Sequence, residues 1–119
     1  MIRLDPFTYA YVECAIWAST DGDGTPLDDA YSVDDVPDET REKMRADCRQ
    51  FQDDNALTLS RAGSVAQNGH DFWLTRNRHG AGFWDRGYPP DVSRALTDAA
   101  HAYSDSYLYI GDDGRLYVA

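Results

Sequence analysis

Apolar positions along this chain recur with two different periods. Near the start, Phe7, Tyr11, Cys14 and Ala18 share one face at helical spacing, and Val12 and Ile16 widen it. Asp5 and Pro6 precede them as a cap and a first-turn proline. The spacing predicts a helix over 6–19, ended by the Gly- and Asp-rich "TDGDGT" at 20–25. A second helix is predicted from Pro37 or Asp38. Asp38 can cap it, and Met44, Cys48 and Phe51 follow i, i+4, i+7 spacing. Asn55 breaks that run, 56–61 continues it briefly, and Gly63 is a plausible stop. A third helix is predicted over Asp91–Tyr103, with Val92, Leu96, Ala99 and Tyr103 on one face.

Two stretches alternate instead. In "GHDFWLTRNRHGAGFWDRG" (69–87), "HDFWLTR" is aromatic and β-branched, "NRHG" has turn chemistry, and "AGFWDR" returns. A β-hairpin is the expectation. In a four-residue register Trp73 faces Trp84, Asp71 faces Arg86 and Leu74 faces Phe83, so that Trp73, Arg76, Trp84 and Arg86 stabilise the sheet. The second alternating stretch, "SYLYIGDDGRLYVA", predicts a hairpin turning at Asp112-Asp113-Gly114. The expected fold is one α+β domain over 1–119. Its order is α-α-β-β-α-β-β, with antiparallel hairpins packed on helices and an acidic loop at about 20–37.

Charge narrows the function. The 119 residues carry a net charge of −10. That balance speaks against unaided binding to nucleic acid or an anionic membrane, because phosphate contacts need Lys and Arg. It suits a partner with a basic surface. Eight of the acids, Asp21, Asp23, Asp28, Asp29, Asp34, Asp35, Asp38 and Glu39, fall within 21–39, with no Lys or Arg among them. Leu27, Tyr31, Val33 and Val36 are spaced through the segment as apolar anchors. These acids are the candidate partner-binding surface, helped by Asp53, Asp54, Asp112 and Asp113.

Candidate chemistry is sparse. His70, Asp71, His79 and Asp85 are the candidates for acid–base work. They match no HExxH, nucleophile-elbow or phosphate-loop pattern. "DGDGTPLDD" evokes a calcium loop, but Ser19 and Ala30 fall at the end ligand positions and Pro26 where an apolar residue belongs. Cys14 and Cys48 are the only cysteines and have no CxxC spacing, so they read as small buried hydrophobes. No metal or cofactor is expected. No basic-then-apolar leader and no transmembrane-length segment is present, and the expectation is a cytoplasmic protein with reduced thiols.

The motif "GHDFWLTRNRHGAGFWDRG", with "LTDAAHAY" and "LYIGDDGRLY" after it, resembles a family of small tailed-phage and prophage proteins with an HDFWLTRNGHGAGFWDRG-type signature. The upstream "AIWAS", "PLDDAYSVDDV" and "DCRQF" extend the resemblance over most of the chain. Arg78 stands where the signature has Gly. The resemblance implies a phage-encoded accessory protein acting in the bacterial host cytoplasm, and it carries over no catalytic residues. Small acidic phage proteins often inhibit host defence, some by imitating the charge pattern of DNA. Three functions follow. One is an inhibitor or modulator of a host nucleic-acid-handling (defence) protein, such as an anti-CRISPR or antirestriction protein. The second is a small enzyme or metal-binding protein using the His/Asp-rich stretch. The third is an oligomeric scaffold with an exposed Trp/Tyr patch. The oligomeric state stays open.

Overall fold

The structure is a computed structural model that describes residues 1–119. Five helices are followed by one hairpin. The helices are α1 (Pro6–Ala18), α2 (Asp38–Asp54), α3 (Ala56–Leu59), α4 (Val65–Arg76) and α5 (Pro90–His101), and the strands are β1 (Leu108–Ile110) and β2 (Leu116–Val118). The α+β class stands. The order does not, because the first expected hairpin is absent.

Residues 65–76 are helix, and Phe83–Asp85 is a single 3-10 turn. Trp73 therefore does not face Trp84, nor Leu74 Phe83, and Trp73, Arg76, Trp84 and Arg86 lie on no sheet. The cause is position in the fold. From Asn68 to Arg76 every residue but His70 is buried, so α4 is enclosed on nearly all sides. A helix buried all round shows no amphipathic stripe, and β-propensity gives way to packing. Ser64 caps it by accepting from the Gln67 N–H at 3.1 Å.

Helices α1 and α4 form the principal helix pair. They approach so closely at Gly69 that a Cβ there would meet the Phe7 carbonyl. An aromatic cluster grows from this contact. Phe72 of α4 stacks on Phe51 of α2 at 4.1 Å between centroids and on Tyr11 of α1 at 5.2 Å, and Tyr103 meets it edge-on at 5.1 Å. The Arg76 guanidinium lies within the core edge, over the Phe72 and Tyr103 rings. It donates to the Tyr11 hydroxyl (3.0 Å), Asp47 (2.8 Å) and the Ser104 carbonyl (2.6 Å).

The other expected elements are present. Asp5 caps α1, its carboxylate accepting from the Thr8 hydroxyl at 2.6 Å. The C-terminal strands pair antiparallel with Tyr109 opposite Tyr117, and Gly114 in the turn takes φ +77°. The hairpin docks on α2 through buried Leu116, whose carbonyl accepts from Thr40 Oγ1 at 3.0 Å. No helix is long and apolar enough to cross a membrane.

Candidate functional site

The acidic segment is ordered. Two 3-10 turns, Leu27–Asp29 and Val33–Asp35, insert Leu27 and Val33 into the core, and Val36 follows them. Buried Arg41 holds the segment's end by donating to the Val36 and Val33 carbonyls at 2.8 and 2.7 Å. Three of the eight acids accept from backbone N–H groups, two of them locally. Asp21 accepts from the Asp23 and Thr25 N–H groups, Asp35 from Ser32, and Asp38 from Ile2. Asp21 thus closes a turn on itself. Asp23, Asp28, Asp29, Asp34 and Glu39 are exposed. None of the eight enters an ion pair, and the two guanidinium groups that reach the segment, Arg41 and Arg115, bond its backbone carbonyls rather than its carboxylates.

Beside this segment lies a cleft of about 920 Å³, of the size that holds small molecules or inserted side chains. Its walls come from α1, from Asp28 and residues 31–33, and from α4. Tyr9, Glu13 and Trp17 form one wall. They sit at i, i+4, i+8 on α1, on the face turned away from the core, and all three are exposed. Asp28 and Tyr31 line the cleft from the acidic segment, and His70 and Arg86 line it as well. The rings of Trp17 and His70 are 5.7 Å apart and tilted by 39°.

His70 sits in front of a buried ion pair. Arg86 donates to both oxygens of Asp71 through Nε (3.2 and 3.1 Å) and through Nη2 (2.8 Å). Burial alone would raise the Asp71 carboxyl. The adjacent His70 imidazole, the Arg86 guanidinium and a hydrogen bond from Gln67 outweigh it and hold the group below the usual carboxylate range. His70 Nδ1 is buried, makes no hydrogen bond, and lies 3.9 Å from Asp71 Oδ1.

The four acid–base candidates divide. His70 and Asp71 come together at the cleft. Asp85 accepts from the Gly82 N–H at 3.0 Å and lies 3.7 Å from Arg86, which gives it a turn-closing role. His79 is exposed and does not line the cleft. The wall also contains Cys14, whose thiol is pushed up to about 12, first by burial and then by the Asp71 charge, so it presents no thiolate. No group of three or more His, Cys, Asp or Glu side chains converges to hold a metal ion. What the cleft offers is recognition by aromatic faces and carboxylates.

Sequence reasoning missed the α1 wall. The signal was present in Tyr9 and Trp17, two large aromatics spaced by eight on the side of the helix that the Phe7–Tyr11–Cys14 face leaves to solvent. No family model, curated protein or solved structure matches the chain.

Proposed function

We propose that this chain is a phage-type acidic accessory protein that binds a basic surface on a host nucleic-acid-handling protein in the bacterial cytoplasm. By imitating the charge of DNA there, it inhibits or modulates that protein. One observation carries the reading: eight acids within 21–39, with no Lys or Arg among them, are fixed to the body by Leu27, Val33 and Val36 and left without ion pairs. An ordered array of carboxylates without ion-pair partners attracts Lys and Arg before contact and competes with phosphates for them. The segment costs little further ordering on binding, because it is already held in place.

The test is capture from bacterial lysate by the immobilised protein at about 0.1 M and about 0.5 M salt, where screening lengths differ roughly twofold. The expected result is a nucleic-acid-handling protein retained at low salt and released by high salt and by duplex DNA. Neutralising Asp28, Asp29 and Asp34 to Asn should abolish that retention. Retention that survives high salt, DNA and the three substitutions would overturn the proposal in favour of an apolar interface.

A further inference from the structure

The cleft and the acidic segment are one continuous surface, since Asp28, Tyr31, Ser32 and Val33 belong to both, whereas Asp29 does not line the cleft. Its lining is unbalanced in charge. Glu13 and Asp28 form no ion pair, whereas the cation on the lining, Arg86, is already bound to buried Asp71 through three hydrogen bonds. The cleft thus presents two free carboxylates and no free arginine or lysine. Its apolar lining includes three aromatic side chains, Tyr9, Trp17 and Tyr31. Trp17 is 60% exposed although it sits in a helix whose neighbouring positions are buried. Large indole surface turned to water beside free carboxylates matches a planar, weakly hydrated cation. The ring face attracts such a cation and the carboxylates accept its N–H groups. A guanidinium satisfies both demands, whereas an ammonium is compact, strongly hydrated and unable to stack.

We infer that this cleft seats an arginine side chain of the basic partner, stacked on Trp17 and hydrogen-bonded by Glu13 and Asp28. The assignment rests on the acidic-surface binding proposed above and gives it a specific anchor. The acids of 21–39 supply long-range attraction, and the cleft supplies discrimination between arginine and lysine. One buried guanidinium contact among many screened charges would act as the centre of the interface.

Calorimetric titration with nona-arginine and nona-lysine, which carry equal charge, tests this on the intact chain. The variants are Trp17→Ala, Glu13→Gln with Asp28→Asn, and the charge-matched control Asp23→Asn with Asp29→Asn. All five positions are exposed, and circular dichroism checks that each variant folds. The wild-type chain should bind nona-arginine about tenfold more tightly than nona-lysine. Both cleft variants should reduce that ratio to near unity. The control should weaken both peptides alike and preserve the ratio. Equal binding of the two peptides by the wild type, or a ratio unchanged by Trp17→Ala, overturns the arginine seat and leaves the acidic-surface reading standing. Absence of salt-sensitive binding to either peptide overturns both.

Discussion

Arg86 reaches from the turn after the 3-10 segment back to Asp71 in the middle of α4 and closes on both carboxylate oxygens at 2.8–3.2 Å. Asp71 is fully buried, and the Arg86 side chain is 29% exposed. Removing the cation alone leaves a buried charge without its partner. Arg86→Ala should therefore cost about 2–3 kcal/mol, somewhat less than for a sealed pair because water can reach the site. The double variant Asp71→Asn with Arg86→Ala should recover part of that loss. Urea denaturation of the two variants checks the order, and equal stability would show that the pair is not coupled.

The same pair sets a pH dependence. Asp71 is held below its ordinary value in the fold, so as pH falls the unfolded chain takes up a proton first. The stabilisation is complete above the unfolded carboxylate range and is lost as pH falls through the folded value. Asp71→Asn should flatten the fall in urea midpoint between about pH 5 and about pH 3. An acid limb with unchanged slope would place the linkage on another carboxylate such as Asp5, whose carboxyl is also lowered. There burial is outweighed by hydrogen bonds from Thr8 and Gln52.

Gly69 tests the closest approach of α1 and α4. It is helical, so Gly69→Ala gains about 1 kcal/mol in helix propensity. The added Cβ would run into the backbone carbonyl of Phe7, which cannot move without shifting the helix. Overpacking of this kind costs about 1–3 kcal/mol and more where backbone must give. The net change should be a loss of up to about 2 kcal/mol. Gly80→Ala, where a Cβ meets nothing within 4 Å and φ is not in the left-handed region, should be near neutral. A thermal melt in which Gly69→Ala is the more stable of the two would refute the close contact.

What the sequence reveals of this fold follows where burial is one-sided. Helices α1, α2 and α5 each have a core face and a wet face, and their apolar spacing agrees. The cap expected at Asp38 does not form: Pro37 holds the N-cap position of α2, Asp38 is already helical, and its carboxylate accepts from the Ile2 N–H instead. The C-terminal hairpin is legible because its turn residues leave little alternative. Helix α4 defeats pattern reading because Gly69, Phe72, Trp73 and Arg76, at i, i+3, i+4 and i+7, form a core face that includes a glycine and an arginine. The flanking Asp71, Leu74 and Thr75 are buried as well. The overlooked sign was local: Ser64 followed three residues later by Gln67 is a helix start. The Asp71–Arg86 proximity expected of the hairpin does occur, built by a helix and a loop instead. The cleft was not legible because it joins α1, the acidic segment and α4, a juxtaposition that only the tertiary packing creates.

The cysteines offer a probe of the core. Burial pushes the Cys14 thiol up to about 12 and raises Cys48 well above its ordinary value. Both side chains are almost completely excluded from solvent. The thiolate is the reactive form, so in the native protein at neutral pH neither should react with a disulfide reagent except through opening of the fold. Labelling should be slow in buffer and complete within the mixing time in denaturant. Rapid reaction of one equivalent in buffer would show that the α1 face opens on its own.

Arg78 carries the one left-handed backbone among the non-glycine residues, at φ +57°. It follows the α4 cap residue Asn77. The His79 N–H bonds to the Leu74 carbonyl (2.9 Å) and the Arg78 N–H to the Thr75 carbonyl (3.1 Å), the two bonds of a Schellman stop. The position is therefore a helix terminator rather than a hairpin turn. An L-residue in this region is strained by about 1–2 kcal/mol, and glycine relieves that at some cost in unfolded-state entropy. The Arg78 side chain offers little in compensation, since its one polar contact is an exposed 3.4 Å approach to His101 Nδ1. Arg78→Gly should stabilise the chain by about 0.5–1 kcal/mol and raise Tm by roughly 2–5 °C. Arg78→Val, with a β-branched side chain at positive φ, should lower it. If both substitutions move Tm in the same direction, the backbone at this position is not what limits the end of α4.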